Sequence, residues 1–94
     1  ERRLLYETTD LQRGVDRDER VAERLTELAA SLRASHRNRD IATPTSHRAV
    51  IKVGRLVTEF DLTPAAAAKQ VFEARATVED RTAVAKAIDS VRWD

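Results

Sequence analysis

The chain has 94 residues, 41% hydrophobic and 35% charged, with a formal net charge of +1 at pH 7. That length supports one domain with a single core, of roughly 5 to 10 kcal/mol net stability, and leaves no room for a second. Cysteine is absent, which excludes disulfides, thiolate catalysis and cysteine-ligated zinc.

Only two glycines and two prolines interrupt a composition rich in Ala, Arg, Glu and Leu, which favours helix over strand or disorder. Residues 1–9 carry Leu4, Leu5 and Tyr6 among charges and predict a short helix, broken by Thr8-Thr9-Asp10 and Gly14. From Asp16 to about residue 36 a longer helix is predicted: Val21, Leu25, Leu28 and Leu32 recur at helical spacing beside Ala22 and Ala29. Arg20, Glu23, Arg24 and Glu27 fall largely opposite, and Asp16, Asp18 and Glu19 open the helix where its dipole favours anions. Residues 38–42 form a connector whose Ile41 is expected in the core.

The third helix is predicted to start at Thr43-Pro44, with Thr43 as N-cap and Pro44 at the first helical position, where its missing N–H costs nothing. Ala49, Val50, Val53, Leu56, Val57 and Phe60 form its apolar stripe, and Arg48, Lys52, Arg55 and Glu59 its other face. Gly54 costs up to about 1 kcal/mol inside a helix, which predicts a close-packed neighbour. Thr63-Pro64 opens a fourth helix through four alanines to Val71, Phe72 and Ala76. Thr77, with Asp80 three residues on, resembles a capping box before a last stripe of Val84, Ala87, Ile88 and Val91, ending at Trp93. The prediction is an all-α bundle of about five helices, one domain over residues 1–94.

Chemistry is sparse. Two histidines without an H-E-x-x-H or similar spacing do not make a metal site. Helix capping and dipole effects account for the acid pairs Asp16 with Asp18 and Glu79 with Asp80 better than acid–base catalysis. No Gly-rich phosphate loop and no G-x-S-x-G elbow is present, so this chain alone should catalyse nothing. Charge is uneven, however: between Arg33 and Arg55 lie Arg37, Arg39, Arg48 and Lys52, with Asp40 the single anion. That stretch is either a solvated rim or an anion-facing surface. Arg48 stands out within it, because a guanidinium presented by the first turn of a packed helix can reach a phosphate.

The segment Thr45-Ser46-His47-Arg48-Ala49-Val50-Ile51-Lys52-Val53-Gly54-Arg55-Leu56-Val57 resembles the sensor-2 helix in the lid subdomain of AAA+ ATPases. It is most similar to that of the MoxR group, in the branch holding CbbQ-type Rubisco activases, nitric-oxide-reductase activation ATPases and gas-vesicle protein N. Glu7-Thr8-Thr9-Asp10-Leu11 resembles that branch's acidic element, Leu28-Ala29-Ala30-Ser31-Leu32-Arg33 the end of its long lid helix, and Asp61-Leu62-Thr63-Pro64 the start of the next one. His47 departs from the Thr or Ile that relatives often carry. The resemblance implies a C-terminal helical lid over a nucleotide held in a larger αβα subdomain, with Arg48 on the ATP γ-phosphate and Ser46 and His47 beside it. It further implies ATP and Mg in a longer, cytoplasmic parent, ring neighbours forming a hexamer, and a client remodelled through a von Willebrand factor A domain partner. The chain, which lacks methionine and the Walker A and B motifs, is then expected to be an inactive fragment of that ATPase.

Two other readings compete. Residues 49–60 followed by Thr63-Pro64 could mimic a helix-turn-helix, with Arg48, Lys52 and Arg55 on phosphates, although near-neutral charge and few aromatics speak against nucleic acid. In a purely structural interaction module, Arg48 has no ligand.

Overall fold

Val21, Ala22, Leu25, Leu28, Ala29 and Leu32 all face inward along one continuous helix, so the periodicity read from the sequence is the periodicity of the core. The computed structural model describes residues 2–93, which leaves Glu1 of the first predicted helix outside. Its helices are α1 (Arg2–Thr8), α2 (Asp16–Arg37), α3 (His47–Glu59), α4 (Pro64–Ala68), which runs on into a π-helical turn (Lys69–Glu73), and α5 (Val78–Asp89). No strand occurs among the described residues. The all-α bundle of five helices is therefore as predicted.

The spine is α2, whose length of about 33 Å at 1.5 Å per residue nearly matches the molecule's 37 Å long axis. Helices α1, α3 and α5 all pack against it, while α4 and its π turn lie between α3 and α5. Ile41 is buried, as expected of the connector. Gly54 also behaves as predicted: a Cβ built there would stand 3.0 Å from Thr9 Cγ2 and 3.1 Å from Leu5 Cδ2, so α1 sits directly on the bare backbone of α3. A seven-residue helix has no stability of its own in water, and α1 exists because this seat buries Leu5 completely.

Three local expectations are corrected. Helix α3 begins at His47, not after Thr43: Ser46 is the N-cap, its Oγ accepting the Ala49 N–H at 3.1 Å, and Thr43-Pro44 remains in the connector. Phe60 leaves the apolar stripe. Asp61 adopts a left-handed φ of 55° and turns the chain, the Leu62 N–H donates to Leu56 O at 3.3 Å, and partly buried Leu62 packs on the core while Phe60 stays 67% exposed. The helix opened by Thr63 and Pro64 is capped as predicted, with Thr63 Oγ1 accepting from Ala66 N–H, but it widens into the π turn where it meets both α3 and α5. Tertiary packing of Val71 and Phe72 in the core overrides regular helix there.

Leu28 and Val53 are both fully buried, on α2 and α3. Leu28→Asp places an unpaired charge in the core and should abolish cooperative thermal unfolding by circular dichroism, whereas Leu28→Ala should cost about 2 to 5 kcal/mol in a denaturant titration. Gly54→Leu should displace α1 and cost about 1 to 3 kcal/mol through overpacking; an unchanged denaturation midpoint would show that α1 does not depend on this seat.

Candidate functional site

The approach to α3 is held from two sides. Asp80, in the first turn of α5, is the one buried charged residue among those described, at 4% exposure. Its carboxylate accepts the Ala42 N–H at 3.2 and 3.0 Å, the Thr43 N–H at 3.0 Å and the Thr43 hydroxyl at 2.8 Å. The expected cap is present, since Thr77 Oγ1 accepts the Asp80 N–H at 3.3 Å, but the carboxylate reaches across to the connector. Burial pushes the Asp80 carboxyl up; the bonds from the Thr43 hydroxyl, the Ala42 and Thr43 N–H groups and Thr77 outweigh it and hold the group below its ordinary range. From α2, Arg33 Nε donates to Thr45 O at 3.2 Å, and His36 Nδ1 lies 3.3 Å from Ile41 O.

These bonds matter because packing under the segment is incomplete. Thr43, Pro44, Thr45 and Ser46 line a mostly apolar cleft of about 390 Å3, shared with Val71 and Phe72. Hydrogen bonds therefore do much of the work of fixing where α3 starts.

Ser46, His47 and Arg48 follow in succession, all exposed. The Ser46 hydroxyl is committed to the helix cap, and His47 is the first helical residue. Arg48 is the second, and its guanidinium makes no hydrogen bond or ion pair with any described residue. No acidic residue occupies that first turn, so a cation sits at the positive end of the α3 dipole without an acid in the same turn to neutralise it. The guanidinium and the positive end of the helix dipole both favour an anion in the same place.

The structure brings together only part of the cationic stretch. Arg48, Lys52 and Arg55 share the exposed face of α3 with Ile51, Leu56 and Phe60. Arg55 Nε also reaches Thr8 O at 3.5 Å. Arg33 is turned to the connector instead, and Arg37 and Arg39 lie at the far end of α2, Arg39 with a left-handed φ of 64° that ends the helix. No group of His, Cys, Asp or Glu able to hold a metal occurs among the described residues. The group that sequence reading missed is Asp80: a plausible local cap explained its presence, and nothing in the sequence pairs it with residues 42 and 43.

Comparison with known proteins gives one result. The family model described as CbbQ/NirQ/NorQ C-terminal matches residues 7–92. No curated protein and no solved structure matches the chain.

A carboxyl whose folded pKa is depressed stabilises the fold above its unfolded pKa and loses that contribution as pH falls through the folded value. Asp80→Asn should accordingly melt below the wild type at pH 7, and the gap should narrow as pH is lowered through the carboxylate range. A gap that persists unchanged at pH 2 would mean the charge of Asp80 contributes nothing.

Proposed function

The chain belongs to the CbbQ/NirQ/NorQ C-terminal family, and so is the C-terminal domain of a MoxR-type AAA+ protein; on that premise we propose that it is the lid over the nucleotide. Arg48 contacts the γ-phosphate of an ATP, with its Mg, bound in the larger αβα subdomain. The observation that carries this reading is the combination at the start of α3: an exposed arginine without a partner among the described residues, in a first turn that has no acid, at the end of a helix that already favours anions. Guanidinium remains charged at every physiological pH and its fork of donors fits phosphate oxygens.

The mechanism follows from rigidity. Arg48 is fixed to a bundle whose helices share one core, so a change in charge at the phosphate acts on the lid as a body rather than on a loose side chain. Loss of the γ-phosphate removes the anion that draws α3 toward the catalytic subdomain, and the lid is released. In a ring of such subunits that movement passes to neighbours and to a client protein, including clients reached through a von Willebrand factor A domain partner. Ser46 contributes by capping α3, and His47 flanks the same approach. No described helix is long and apolar enough to cross a membrane.

In the full-length protein, Arg48→Ala should lower ATP turnover about 10²- to 10³-fold, the range seen when a preorganised donor to a developing charge is removed. The circular dichroism spectrum and melting temperature should stay near wild type, because the side chain is exposed. Undiminished turnover would end this reading. The lid also predicts no tight, steeply salt-dependent binding to duplex DNA; a salt titration with a steep negative slope would favour the nucleic-acid reading instead.

A further inference from the structure

We infer that Asp80 is a positioning residue for Arg48, acting across the bundle from α5 through the strap of residues 42–46. The inference rests on the reading of Arg48 as the phosphate-contacting group.

Each link of the strap is constrained by an interaction already described. Ala42 and Thr43 are bound to the Asp80 carboxylate by their N–H groups and the Thr43 hydroxyl. Pro44 has its φ fixed by the ring. Thr45 is bound through its carbonyl by Arg33, and Ser46 is bound through its hydroxyl to the Ala49 N–H. Arg48 follows two residues later.

If Asp80 loses its acceptors, the Ser46 cap remains and α3 still forms. What changes is the anchor at the far end of the strap. The cleft shared with Val71 and Phe72 then gives residues 43–46 room to shift, and the first turn of α3 shifts with them. A misplacement of about 1 Å in a positioning group costs on the order of 10²-fold in rate. Asp80 touches neither nucleotide nor phosphate in this arrangement. Its effect on turnover passes entirely through the place where Arg48 is presented.

The test is a double-mutant cycle on ATP hydrolysis by the full-length ATPase. Asp80→Asn should lower kcat by about ten- to a hundredfold in the wild-type background while leaving ADP affinity within about twofold, since ADP lacks the phosphate that Arg48 meets. In the Arg48→Ala background the same substitution should cost nothing further, because the group it positions is gone. Thr43→Val removes only the hydroxyl that donates to Asp80 and should reproduce the pattern in milder form, so it carries the test if Asp80→Asn fails to fold. A loss of equal size in both backgrounds, or no loss in a folded variant, overturns the inference and leaves the role of Arg48 standing. Full turnover by Arg48→Ala alone overturns both.

Discussion

The bundle turns on one carboxylate. Asp80 lies in α5 and its partners lie 37 and 38 positions earlier, so a single buried group ties the last helix to the link between α2 and α3. The chemistry demands an ionised acid. Two main-chain N–H groups and a hydroxyl converge on one place, all as donors, and a carboxylate is the side chain that offers acceptors alone, with lone pairs for all of them. An amide would turn one donor against another, and an apolar residue would leave the N–H groups of residues 42 and 43 without a partner. Short, charge-assisted contacts such as the 2.8 Å bond from Thr43 offset the cost of burying the charge.

That clasp also explains which features of the fold were legible in the sequence. The stripe of α2, the capped start at Thr63-Pro64 and the close approach at Gly54 depend on periodicity, local capping and the absence of a Cβ, all written in neighbouring residues. The start of α3 does not. Thr43-Pro44 and Ser46 both satisfy the local rules for opening a helix, and the choice falls to Ser46 because Thr43 is taken up by a residue on another helix. Phe60 fits the helical stripe by spacing but lies past the point where Asp61 reverses the chain. The π turn likewise answers to two packing partners rather than to its own five residues.

At the site the division is the same. Exposure of Arg48 could be read from the alternation of α3, and the resemblance to MoxR-group ATPases, carried by the residues around it, agrees with the family match over residues 7–92. What holds Arg48 in place could not be read, since Asp80 fits a capping box well enough to hide its second role. A local motif that explains a residue completely is a poor guide to whether that residue also reaches a distant one.

The arginine at the head of α3 has a further consequence for the energetics of the domain. Its charge and the dipole of its own helix repel each other, and no acid in that helix's first turn relieves them. The unliganded domain therefore holds a small electrostatic frustration at one spot on its surface, and any polyanion seated there makes the folded state more favourable by mass action. On the proposed reading, heat resistance and occupancy are thus coupled: the polypeptide would be at its most robust with a phosphate seated at this spot, and would relax toward its weaker, empty condition each time that phosphate departs.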